Sequence, residues 1–119
     1  MYYFDHEKLD VYQTTMQFLL IVEKIVDPFP KGRAYLVDQL LRASSSILLN
    51  ISEGAGEFST NEKLRFYRIA RRSATECAGI LDLCFHLSLV SEDMHVQSKQ
   101  LLLRIVSMLT KMSRHFSQT

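Results

Sequence analysis

Gln39, Arg42, Ser46, Asn50 and Glu53 recur every three or four residues within the run from Asp38 to Gly56. On a helix that spacing places them on one stripe. Amides, hydroxyls, a guanidinium and a carboxylate pair well with one another when shielded from water. A helix that only had to show a face to solvent would carry Lys and Glu there. Two readings are open: a buried hydrogen-bond network that fixes helix register or a recognition surface, or else a solvated face or an ordinary polar seam. On the first, Gln39 and Asn50 are shielded between helices or subunits, with Arg42 and Glu53 near each other or near other carboxyl partners. Neither reading is catalytic.

Positive charge collects between Asn61 and Arg72, where Lys63, Arg65, Arg68, Arg71 and Arg72 face a single acid, Glu62. Arg65, Arg68 and Arg72 share a helix face, with Arg71 on its flank. Such a row can contact phosphates. It can equally be a solvated face, or pair with Asp38, Glu53 or Glu57 of another subunit, because the rest of the chain is net acidic. Phe66 reads as core and Tyr67 as exposed, which leaves little for base stacking. The formal charge of +1 supplies no general attraction for nucleic acid.

Enzyme chemistry has no visible constellation. His6, His86, His95 and His115 are scattered, and none stands beside a Cys or Ser at a catalytic spacing. Glu53 and Glu76 lack the Glu-x-x-His partners of a di-metal bundle. Gly54-Ala55-Gly56 has no following Lys-Ser/Thr and succeeds a helix, so it is no phosphate loop. Cys77 and Cys84 lie seven apart on a helical stripe, about 10.5 Å at ~1.5 Å per residue, too far for a disulfide. They read as buried free thiols. A zinc site with His86 does not fit the spacing. No metal, cofactor or small-molecule substrate is expected.

These groups need helices to position them. At 119 residues with four Gly and two Pro, the chain reads as one domain, residues 1–119, of long helices with short connections. The first helix is expected from His6 to Val26 with Asp5 as cap, stopped by Asp27-Pro28-Phe29-Pro30. The second opens at Lys31-Gly32 and ends near Glu53, where Gly54-Ala55-Gly56 allows left-handed backbone. The third begins with a capping box, Ser59 with Glu62, and runs to Leu89. The fourth runs from Ser91-Glu92-Asp93 to Phe116. Short connections make these antiparallel neighbours in an all-α up-down four-helix bundle. No run approaches the ~20 apolar residues of a membrane span, and no leader pattern is visible. The expected location is the cytoplasm.

Core stripes follow from the periodicity. Phe66, Ala70, Ala74, Cys77, Leu81 and Cys84 form one in the third helix. Leu101, Leu102, Ile105, Met108, Leu109, Met112 and Phe116 form another in the fourth. The first helix shows two: Leu9, Tyr12, Met16, Leu19 and Leu20 as core, and Val11, Phe18, Val22 and Ile25 as a second strip. One narrow core cannot take both, so the excess is expected between subunits.

Leu36-Val37-Asp38-Gln39-Leu40-Leu41-Arg42-Ala43, then Ser46-Ile47, Asn50-Ile51, Glu53-Gly54 and Gly56, resembles the signature of a bacterial four-helix-bundle family. Its members are known from open reading frames in intervening sequences of 23S ribosomal RNA genes. They include the accessory variability protein of diversity-generating retroelements. Phe4 with Lys8-Leu9-Asp10-Val11-Tyr12, Phe29-Pro30, and Phe66 to Glu76 resemble other parts of that pattern. The resemblance implies an up-down bundle assembling as a ring, commonly a homopentamer. The retroelement members bind nucleic acid and a reverse transcriptase through a basic surface. This chain departs from those members in being nearly neutral. The expectation is a non-enzymatic oligomeric interaction module for nucleic acid or a nucleic-acid enzyme. The other open reading is a structural or protein-binding scaffold.

Overall fold

The computed structural model describes residues 2–117. Four helices follow one another: α1 (Asp10–Val26), α2 (Ala34–Gly56), α3 (Thr60–His86) and α4 (Glu92–Ser117). No strand occurs among the described residues. The 27 residues of α3 span about 40 Å at ~1.5 Å per residue, which sets the long dimension of 46 Å.

Each helix packs on two neighbours, in the cyclic order α1, α2, α3, α4, and the diagonal pairs do not approach closely. Contacts run antiparallel throughout. Arg42 meets Glu76, Ser46 meets Ser73 and Gly54 meets Tyr67 between α2 and α3. Asp82 meets Lys99 and Tyr67 meets Phe116 between α3 and α4. As one residue number rises, its partner falls. The all-α up-down antiparallel bundle is therefore the observed fold.

The start of the chain departs from expectation. Asp5–Lys8 form a 3₁₀ turn, and Leu9 is extended at φ −79°, ψ 132°. The Glu7 carboxylate causes the break, accepting the backbone N–H groups of Tyr3 at 2.6 Å and Phe4 at 2.5 Å. Asp5 therefore caps nothing, and α1 begins at Asp10. Its two apolar strips are also exchanged. Val11, Phe18, Val22 and Ile25 are buried in the core, whereas Leu20 is 65% exposed and Met16 40%. Buried Thr14 and Thr15 extend the inner strip; Thr15 donates its hydroxyl to the Val11 carbonyl at 2.7 Å. Periodicity locates both strips but cannot rank them, and the β-branched strip won.

Gly54-Ala55-Gly56 also differs. No glycine has positive φ, and α2 continues through Gly56. The reason for Gly54 is space. A Cβ there would lie 2.6 Å and 2.9 Å from ring carbons of Tyr67. That ring is 2% exposed, so Tyr67 is core and Phe66 only half-buried, the reverse of the expected pair. Ser59 does cap α3, accepting from the Glu62 N–H at 3.4 Å. The Glu62 carboxylate turns instead to Arg65.

α3 ends at His86, three residues before Leu89. Ser88 is left-handed at φ 62°. The Ser88 N–H reaches the Phe85 carbonyl and the Leu89 N–H the Cys84 carbonyl, both at 2.9 Å. This is a Schellman closure with Ser in the position that usually takes Gly. Ser91 then caps α4 by accepting from the Met94 N–H at 3.2 Å. Leu102, Ile105 and Leu109 are the buried centre of α4. Cys77 and Cys84 are free and buried, as expected.

Two glycine variants test the packing at Gly54. Gly79 lies inside α3 with open space where a Cβ would go. Gly79→Ala should raise stability by about 0.8–1 kcal/mol. Gly54→Ala gains the same propensity but must displace a buried ring, at roughly 1–3 kcal/mol. Its melting temperature should fall below that of Gly79→Ala. Equal shifts in the two variants would contradict the close approach.

Candidate nucleic-acid interface

The polar stripe lies along the α2–α3 seam, and the structure divides it. Ser46 and Ser73 share a 2.8 Å hydroxyl bond across the seam. Asn50 donates its amide to the Ser46 carbonyl at 2.8 Å and the Ser46 hydroxyl at 3.1 Å. Arg42 pairs with Glu76 on α3, a carboxyl partner other than Glu53. Gln39 and Glu53 are exposed in the chain, so the expected shielding of Gln39 does not occur between helices. The inner half of the stripe is thus an α2–α3 hydrogen-bonded relay, and the outer half faces solvent.

The five cations of α3 are not equivalent. Lys63 donates its ammonium to the carbonyls of Gly54 and Ala55, each at 3.1 Å. It closes the C-terminus of α2, where unpaired carbonyls favour a cation, so it is a helix cap rather than a free phosphate ligand. Arg65 pairs with Glu62 at 3.2 Å and lies 4.6 Å over the Phe66 ring. Arg68 and Arg72 are exposed and Arg71 is half-buried. These three have no ion-pair partner among the described residues. The face opposite the buried Ala70, Ala74 and Cys77 therefore offers unpaired guanidinium groups to solvent.

A further set of cations escapes a search for charge density. Arg104, Lys111 and Arg114 lie seven and three residues apart on α4, and all are exposed. Their signal in the sequence is different: no acid follows Asp93.

The remaining polar groups hold the bundle together. Asp82 accepts from Lys99 at 2.5 Å and bonds the His95 ring at 2.8 Å. Lys99 first and His95 second hold the Asp82 carboxyl below its ordinary range. His95 also stacks on Phe85 at 4.4 Å. Burial, reinforced by Glu76 and offset by Arg42, pushes the Cys77 thiol up to about 12. Burial likewise raises Cys84. Thiols held protonated in this way are poor nucleophiles at neutral pH. No group of three His, Cys, Asp or Glu that could hold a metal occurs among the described residues. An open apolar cleft of about 540 Å³ between α1 and α4 is walled by Leu9, Val11, Met108 and Met112. No helix among the described residues is long and apolar enough to cross a membrane.

The seam yields a direct test. Ser46→Ala removes the partner of Ser73, which is 8% exposed, and should cost about 1–3 kcal/mol. Ser45→Ala, one residue away and exposed, should stay within about 0.5 kcal/mol. Chemical denaturation of both variants reads the difference; equal stabilities would mean that the relay does not hold α2 to α3.

The family model described as 23S rRNA-intervening sequence protein matches residues 7–111. No curated protein matches the chain. The chain belongs to the 23S rRNA-intervening sequence protein family.

Proposed function

We propose that this member of the 23S rRNA-intervening sequence protein family is a non-catalytic oligomeric module that binds nucleic-acid phosphates through the outer face of α3. Arg68, Arg71 and Arg72 carry the reading, because they reach solvent without an ion-pair partner among the described residues. Arginine contacts to phosphate position a nucleic acid without reading its sequence, so sequence preference should be slight. The enzyme acting on that nucleic acid, such as a reverse transcriptase, is the protein partner that suits this role. The cytoplasm is the compartment in which the module would act.

Oligomer formation belongs to the same proposal. Leu20 and Met16 leave an apolar strip outside the core of α1, and Leu49 stands 58% exposed on α2. A homopentameric ring would cover these side chains and repeat the arginine face around its circumference. Exposed Asp38, Gln39 and Glu53 on α2 favour a second reading, in which they pair with α3 arginines of a neighbouring subunit. The protein would then be a scaffold with no nucleic-acid role.

Sedimentation at micromolar concentration should give one discrete oligomer, five subunits on this reading; a clean monomer would remove the ring. Binding to DNA or RNA should weaken with salt, with a logarithmic slope of about −0.9 per phosphate neutralised on duplex DNA. Arg68→Glu with Arg72→Glu should abolish binding and leave the oligomer intact. No binding at about 50 mM salt would select the scaffold, and so would dissociation of the oligomer by the same pair.

A further inference from the structure

An aromatic arm and an apolar cleft stand at the same end of the bundle, and neither fills the other within one chain. Tyr2, Tyr3 and Phe4 are 58%, 78% and 67% exposed. Their backbone is nonetheless held in place. The Glu7 carboxylate accepts the N–H groups of Tyr3 and Phe4. Phe4 is extended at φ −125°, ψ 155°, and its ring stacks on His6 at 5.7 Å. An arm ordered beforehand loses less freedom on binding.

The cleft of about 540 Å³ lies on the α1–α4 side. Leu9, Val11, Met108 and Met112 wall it. Exposed Lys111 and His115 stand on its α4 lip, and exposed Asp10 on its α1 lip. The 3₁₀ turn that carries the arm packs on α1 and α2 and does not reach α4. Gln13 holds the turn there, its amide donating to the Glu7 carbonyl at 3.0 Å. The arm is thus rooted on the α2 side of α1, whereas the cleft opens on the α4 side.

Resting on the oligomer reading above, we infer that the Tyr2-Tyr3-Phe4 arm of one subunit occupies the α1–α4 cleft of the next. Three features fit that occupant. Methionine thioethers adapt to irregular contacts and favour aromatic partners, and Met108 and Met112 face the cleft. Asp5 follows the arm directly, is exposed, and has no ion pair among the described residues; the same holds for Lys111 on the lip. An arm seated on α4 brings this acid and this base together. The last feature is area. Aromatic side chains bury about 150–250 Å² each, so the exposed parts of these three supply roughly 300–500 Å². A stable interface draws about 800 Å² from each partner. The arm gives about half of that, and exposed Leu20 and Met16 on α1 are available for the rest. Arm and cleft are different patches, so the contact is heterologous, the kind that repeats from subunit to subunit and can close a ring.

Cysteine cross-linking of the full chain tests this with Asp5→Cys and Lys111→Cys, both at exposed positions. Cys77 and Cys84 are buried and stay out of the reaction. Mild oxidation of the double variant should give a ladder of covalent species up to the size of the sedimenting oligomer. Each single variant should stay uncrosslinked, and the two co-expressed should give covalent dimers only. Tyr3→Ser with Phe4→Ser should weaken assembly in sedimentation by about tenfold or more, with circular dichroism unchanged. No cross-link, or one confined within a chain, in an intact oligomer would overturn the arm contact and leave the ring standing. So would an arm variant that assembles as the unaltered protein does, since the cleft would then be open to a different occupant, a second protein or an amphiphile. A ladder that stops at two, with a sedimenting dimer, would keep the arm contact and remove the ring. A monomer would remove both.

Discussion

The close approach of α2 to α3 at Gly54 governs the rest of the molecule. Without a side chain at that position, the Tyr67 ring lies directly on the α2 backbone. A Cβ would force the two helices apart or shift their register. The approach sets Ser46 opposite Ser73 and Arg42 opposite Glu76. It also carries Lys63 to the final carbonyls of α2. On the outer face of α3 this leaves Arg68, Arg71 and Arg72 without an ion-pair partner among the described residues. The unpaired arginines are thus a consequence of packing as well as of composition.

Most of the fold was legible because amphipathic periodicity and helix stops are local signals. The α3 stripe from Ala70 to Cys84 and the α4 stripe from Leu102 to Leu109 are buried where their spacing places them. The errors lie where two local signals compete. In α1, two apolar strips are comparably strong, and only the presence of α2 and α4 selects Val11, Phe18, Val22 and Ile25. At Phe66 and Tyr67, neighbouring aromatics differ by one step around the helix, and Gly54 on another helix decides between them. The same glycine looks like a helix stop when read locally. Its purpose is visible only once α3 lies against it.

The candidate site was partly legible for the same reason. A dense run of Lys and Arg identified α3, but sequence could not tell Lys63, which caps α2, from Arg68, which caps nothing. The dispersed cations of α4 have no local density at all. Their signal is the lack of acids after Asp93. Net charge concealed both, since the acidic α1–α2 half nearly cancels the basic α3–α4 half. Non-specific phosphate binding responds to local potential within a Debye length, about 8 Å at physiological salt, so an asymmetric neutral chain can present a cationic face.

The central claim is that one side of this bundle meets phosphate and that packing has chosen which arginines do so. Arginine side-chain NMR resonances, followed while a short duplex is titrated into the intact protein, read this residue by residue. Shifts are expected at Arg68, Arg71 and Arg72, with Arg33, in the 3₁₀ turn before α2, unmoved. Shifts concentrated at Arg33, or spread evenly over all the arginines, would contradict phosphate binding at the α3 face.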